Sequence, residues 1–226
     1  MRLAISVKDG QCNVTISDFD DQGAYLGRAF GVDYIRTPEG FGARFSGARE
    51  SRIEYALGSG LTPYEGTIEW NIRVDRGYRY ANGLRIYDAS SALIFTTVGA
   101  DTWYPGVVWF SVERDGTLRY STSDNYGGTA PLIDLVAPRT SFRFGRWHRL
   151  GIMYGREGRA IRLDGRVVAR DGVRLPLTVG GSLEQANDLP TVGEFYSRFG
   201  WPNNVHERGF EGVVDWMKGV DCPGVW

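Results

Sequence analysis

The sequence predicts an all-β protein, a two-sheet antiparallel β-sandwich of the jelly-roll type, and three observations carry that expectation. Short runs of β-branched, aromatic and aliphatic residues recur along the 226 residues, and Asx-Gly and Gly-Gly dipeptides punctuate them. With 31 glycines and 13 % aromatic residues, the composition suits many short strands joined by tight turns. Helical periodicity is nearly absent, and only the stretch around Gly181 to Asp188 suits a brief helix.

The elements follow in chain order. Leu3 to Val7, Cys12 to Ile16 and Phe41 to Phe45 read as strands. GTIEWNIRVD is the clearest, because Ile68, Trp70, Ile72 and Val74 alternate with Thr67, Glu69, Asn71 and Arg73. Successive side chains of a strand point to opposite faces, so this period of two makes one face apolar and the other polar. Leu84 to Tyr87, Leu93 to Val98, Val107 to Val112 and Leu118 to Tyr120 follow, then Leu150 to Tyr154, Ala160 to Leu163 and Val213 to Met217. Asp115-Gly116, Asp164-Gly165, Asp171-Gly172 and Tyr126-Gly127-Gly128 supply the turns. Trp70, Trp147 and Trp216 lie on patterned strands and are assigned to the core. No Pro-rich linker or repeat divides the chain, so residues 1–226 are read as one domain.

A sandwich of this length buries enough surface to fold without disulfides or metals. Cys12 and Cys222 sit near opposite ends, and either a bridge closing most of the chain or two buried thiols fits them. The formal net charge of −1 gives no global case for nucleic acid or an anionic membrane. No run reaches membrane-spanning length. Lys8 and Lys218 are the sole lysines, every other basic residue being arginine. A GC-rich coding background or a preference for forked, stacking contacts at interfaces both account for that bias.

The segment WHRLGIMYGREGRAIRLDGRVVARD opens with Trp147-His148, turns at Gly155 to Gly158, and turns again at Asp164-Gly165. It resembles the W-H … D-G hairpin of laminin-G-like, pentraxin-like and concanavalin A-like domains. GTIEWNIRVD is similar to the early inner strand of that superfamily, and GFEGVVDWMKGV to its closing strand. The resemblance is strongest over residues 41–220 and implies a concanavalin A-like sandwich. Leu163 departs slightly from the family pattern.

The resemblance brings glycosidases and polysaccharide lyases into view. Retaining glucanases need two carboxylates about 5 Å apart, and the E-x-D-x-x-E spacing that would supply them is missing. Glu211 and Asp215 have an even spacing, but Asp215 matches a structural aspartate of the closing strand. Tyr78, Arg79 and Tyr80 with His148 or His206 do not reproduce a lyase pattern, and there is no G-x-S-x-G elbow, P-loop or dinucleotide fingerprint. His148 is expected to be a packed structural residue and His206 a solvated loop residue. The expectation is a non-catalytic protein.

Such a domain acts through loops. DTWYPG carries Trp103 and Tyr104, SDNYGG carries Asp124, Asn125 and Tyr126, and FYSRFGWPNN carries Tyr196, Trp201, Asn203 and Asn204. Aromatic platforms with nearby amides and carboxylates suit glycan contact, and the same residues suit capping of the core or protein contact. SDFDDQG places Asp18, Asp20 and Asp21 near the N terminus, where with Asp215 they form a calcium candidate, weighed against a solvated acidic turn.

The first residues, MRLAISVKDGQCNV, lack a secretory signal, so either the protein avoids classical secretion or a leader has been removed. Both ends are expected to pack into the fold or an assembly. The resulting expectation is a surface interaction protein on a virion, such as a phage head decoration, spike or tail accessory, or on another extracellular surface. Its partners would be further protein subunits or cell-surface glycan. A secreted carbohydrate-binding module and a glycan-cleaving enzyme are the alternatives.

Overall fold

The computed structural model describes residues 14–17, 27–47, 51–56, 65–81, 84–88, 91–96, 108–122, 133–175, 196–199 and 208–220. In chain order its strands are β1 (Val14–Ser17), β2 (Gly27–Phe30), β3 (Val32–Thr37), β4 (Gly40–Ser46), β5 (Arg52–Ala56) and β6 (Gly66–Ala81). They continue with β7 (Leu84–Asp88), β8 (Ser91–Thr96), β9 (Val108–Glu113), β10 (Leu118–Thr122) and β11 (Ile133–Ala137). The last are β12 (Trp147–Tyr154), β13 (Arg159–Leu163), β14 (Arg166–Asp171), β15 (Tyr196–Phe199) and β16 (Arg208–Val220).

Two antiparallel sheets form a sandwich. The nine-stranded sheet runs β14-β13-β12-β6-β16-β4-β3, with β1 paired to β16 and β7 to β6 off that path. The seven-stranded sheet runs β11-β10-β9-β8-β15-β5-β2. The long strands β6 and β16 form the spine of the larger sheet, β6 pairing with β12 at one end and β7 at the other. The alternation in β6 holds as expected: Ile68, Trp70, Ile72 and Val74 are fully buried against the other sheet. Across the core, the Trp70 ring lies 5.7 Å from that of Phe110, stacked, and 5.3 Å from that of Phe95.

The motif that opens at Trp147 has a direct physical basis. Asp164 and Gly165, both at positive φ (49° and 81°), turn β13 back into β14. The Asp164 carboxylate then reaches across to β12. Its Oδ1 accepts from the Arg149 backbone N–H at 2.9 Å, and its Oδ2 lies 2.9 Å from His148 Nδ1. Nε2 of the buried His148 accepts the Arg143 backbone N–H at 3.0 Å, and its ring packs 4.6 Å from that of Phe142. Nδ1 is therefore the protonated nitrogen that donates to Asp164, as a packed structural histidine requires.

Three readings need correction. Trp147 does not face the core: it pairs with Arg73, on the outward side of β6, and is only half-buried. Trp216 also leaves the core, and the cause is a β-bulge. The β16 register moves from Val214↔Ile72 directly to Trp216↔Asn71, so Asp215 is the extra residue. The alternation is thereby reversed, which sends Trp216 outward and Met217 into the core. Asp171-Gly172, finally, is no hairpin turn, because Asp171 is still paired with Arg159 at the end of β14.

Candidate functional site

Residues alternating with the core positions of β6, β12, β13 and β16 point away from the sandwich, and there they surround an open depression. Its cavity volume is about 510 Å³, and it is lined by Glu69, Asn71, Trp147, Arg149, Arg162 and Lys218, with the His148 and Asp164-Gly165 turn at one side. Register explains the grouping. Glu69 stands opposite Gly151 on β12 and Lys218 on β16, and Asn71 opposite Arg149 and Trp216. Gly151 in turn faces Arg162 on β13. A position with no side chain therefore separates Arg162 from Glu69, which leaves the sheet surface low between them.

Both outward tryptophans are fixed in place. The Arg73 guanidinium lies 5.7 Å from the Trp147 ring centre, and Arg73 is itself held in a fork by Asp75 at 2.9 and 3.1 Å. Arg149 lies 5.8 Å from the Trp216 ring centre, and the Trp216 indole N–H donates to Glu39 at 3.3 Å. Cations over an indole face are attracted by its quadrupole. Asn71 and Asp215 brace each other: Asn71 Nδ2 donates to Asp215 Oδ2 at 3.0 Å, and the Thr37 hydroxyl donates to Oδ1. Asp215 is 3 % exposed, and burial of a carboxylate without such donors would be costly. Lys218 and Glu69 are cross-strand neighbours, yet neither they nor Arg149 form an ion pair among the described residues.

The loop candidates fall elsewhere. Trp103, Tyr104, Asp124, Asn125, Tyr126, Trp201, Asn203 and Asn204 lie outside the described residues, and Tyr196 is placed by backbone alone, at the start of β15 in the smaller sheet. Asp18, Asp20, Asp21, Cys12 and Cys222 also lie outside them. Of the calcium candidates only Asp215 is described, with its two oxygens engaged as above. Among the described residues no group of three or more His, Cys, Asp or Glu is placed to hold a metal ion. Glu211 is occupied by the Tyr78 hydroxyl at 2.8 Å, and bulges at both Glu211/Gly212 and Val214/Trp216 break its even relation to Asp215.

In the sequence, Glu69, Asn71 and Arg73 read as the polar face of β6 and as nothing more specific. Arg149 and Arg162 carry no signal of their own in the sequence, and Lys218 stands out there only as one of two lysines. Their signal was the complement of the core pattern, which becomes a site only when the register sets four strands side by side.

No protein-family model matches the chain, and no curated protein matches it in sequence. Solved structures share the β-sandwich architecture at low sequence identity. Domain 4 of AbnA, a GH43 extracellular arabinanase from Geobacillus stearothermophilus, in complex with arabinotriose, aligns with a TM-score of 0.56 at 12 % identity, over 96 % of this chain and 87 % of that one. A point mutant of the NanB sialidase of Streptococcus pneumoniae aligns with a TM-score of 0.54 at 10 % identity, over 80 % of this chain and 26 % of that one. Trypanosoma rangeli sialidase with 2,3-difluorosialic acid aligns with a TM-score of 0.53 at 12 % identity, over 87 % and 27 %. The chain thus spans about a quarter of each sialidase. At these identities the likeness is one of fold.

Proposed function

We propose that this protein is a non-catalytic saccharide-binding module of the concanavalin A-like or laminin-G-like kind, and that the sugar sits on the outward face of its nine-stranded sheet. One observation carries the reading: Trp147 and Trp216, each steadied by an arginine, accompany a depression lined by amide, carboxylate and cationic groups. Indole rings stack on the C–H faces of pyranose or furanose rings, and a few convergent polar groups fix the hydroxyls. The arabinotriose recorded with the arabinanase domain is consistent with a sugar-binding use of this architecture.

The carboxylates favour binding over cleavage. Glu69 and Asp164 are the two that line the depression, and Asp164 is occupied by His148 and the Arg149 N–H. General acid-base catalysis needs a carboxyl free to exchange its proton with the substrate. Placement on a virion or other extracellular surface, with a surface glycan as partner, goes with this reading. The test is a glycan array probed with the whole chain. Retention of defined saccharides that disappears in Trp216→Ala, without release of shorter sugars, is the expected result. Retention unchanged in Trp147→Ala and Trp216→Ala would remove the site, and release of product would replace the module with an enzyme.

A further inference from the structure

The width of the depression and the placing of its polar groups set how many sugar rings it takes. Its lining comes from β13, β12, β6 and β16, which lie side by side. Three strand spacings of about 4.8 Å make it roughly 14 Å wide. A sugar ring with its hydroxyls, built on bonds of about 1.5 Å, spans roughly 6 Å. Arg149 divides that width. It stands on β12 between Asn71 of β6 and Asp164, which accepts its backbone N–H. The side chain is exposed, its guanidinium lies 5.8 Å from the Trp216 ring centre, and it makes no hydrogen bond or ion pair among the described residues. On one side of it the depression offers the Trp147 ring and the Asp164-Gly165 turn, and on the other Asn71, Glu69 and Lys218. Lys218 and Glu69 are paired in register and opposite in charge, yet they do not close on each other. The donors of one and the acceptors of the other therefore stay open to a ligand. Asn71 spends its Nδ2 on Asp215, which leaves Oδ1 as an acceptor. One side thus has an aromatic surface, and the other has donors and acceptors suited to hydroxyls.

Resting on the saccharide reading above, we propose that the depression recognises a disaccharide unit of a glycan, with one ring on each side of Arg149. The first ring lies on Trp147. The hydroxyls of the second are held by Asn71, Glu69 and Lys218. The Arg149 guanidinium, whose donors share one plane, bonds to oxygens of both rings beside the glycosidic link, and Trp216 backs it.

Calorimetric titration of the whole chain tests this with ladders of gluco-, galacto-, xylo- and arabino-oligosaccharides and of oligogalacturonates, each from one unit to four. In a ladder that binds, affinity should rise about ten-fold from one unit to two and then level off. Trp147→Ala should weaken every length. Lys218→Met keeps an apolar stem and removes the donors, so it should leave the single unit unchanged and erase most of the gain from the second. Arg149→Met should lower the affinity for two units more than that for one. The melting temperatures of the two methionine variants should stay close to that of the wild type, because both side chains lie on the outward face. One and two units binding alike, or Lys218→Met weakening both lengths equally, would overturn the two-ring site and keep the saccharide reading. Affinity that kept climbing through four units would overturn it in favour of a longer groove. Binding of no ladder would overturn both readings.

Discussion

Arg159 is fully buried in its side chain, yet it carries a charge, so its partners decide whether the sandwich tolerates it. It forks onto Asp171 through Nε at 3.2 Å and Nη2 at 2.5 Å. Nη1 donates to the Ile133 carbonyl at 2.9 Å, and the guanidinium lies 5.1 Å from the Tyr120 ring centre. A residue of one sheet is thus bonded to the backbone of the other. Removing one partner of such a pair leaves the other charge stranded, which costs about 3 kcal/mol or more. Arg159→Ala and Asp171→Asn are each expected to lose roughly that much stability in urea unfolding. Burial pushes the Asp171 carboxyl up, but the Arg159 fork and the Val173 N–H outweigh it and hold it below the ordinary carboxylate range. A carboxyl depressed on folding stabilises above its unfolded pKa, about 3.9. That contribution disappears as pH falls through the folded value. The stability gap between wild type and Asp171→Asn should therefore be full at pH 7 and shrink below about pH 4. A gap that stayed constant to pH 3 would show that Asp171 is not held as an ion.

At the scale of the element, the bulge in β16 decides what the outward face presents. Asp215 is the inserted residue, and the donors on it come from Thr37 on β3 and Asn71 on β6. Asp215→Ala would leave the buried Asn71 amide without this acceptor, at a cost of about 1–3 kcal/mol. Trp216 should then lose its fixed orientation, visible as a change in tryptophan emission, whereas Asp215→Asn, which keeps one acceptor, should change both less. This bulge also marks where the sequence stops being legible. The cores of β4, β6, β9, β10, β12 and β13 follow from plain alternation. Phe210, Val214 and Trp216 suggest one uninterrupted face, and nothing in GFEGVVDWMKGV announces that Asp215 will be skipped in the ladder. The short strands β2, β3, β5, β11 and β15 escaped because four to six residues with interleaved charges give too few periods to stand out. The depression escaped for a different reason. Glu69, Arg149, Arg162 and Lys218 each look like the solvated side of a half-buried strand, and only pairing across β13, β12, β6 and β16 brings them together.

For the molecule as a whole, the larger sheet serves two surfaces, and two tryptophans on adjacent strands separate them. Trp70 on β6 points inward and is fully buried against Phe95 and Phe110 of the opposite sheet. Trp216 on β16 points outward beside Arg149 and Glu39. Truncating a buried aromatic costs about 3–5 kcal/mol, a large share of the roughly 5–15 kcal/mol that holds a domain folded. For a chain of this size, Trp70→Ala should lower the melting temperature by roughly 6–20 °C. Trp216→Ala removes no core contact, so its effect should stay within about 0.5 kcal/mol and a degree or two. The two variants should act oppositely on saccharide binding measured well below either melting point. Trp70→Ala keeps the outward face and should retain ligand, whereas Trp216→Ala should stay folded and lose it. Scanning calorimetry and titration of the same preparations check both halves. If Trp216→Ala unfolded as readily as Trp70→Ala, the outward ring would belong to the scaffold, and the binding face would have to be sought elsewhere on the sandwich.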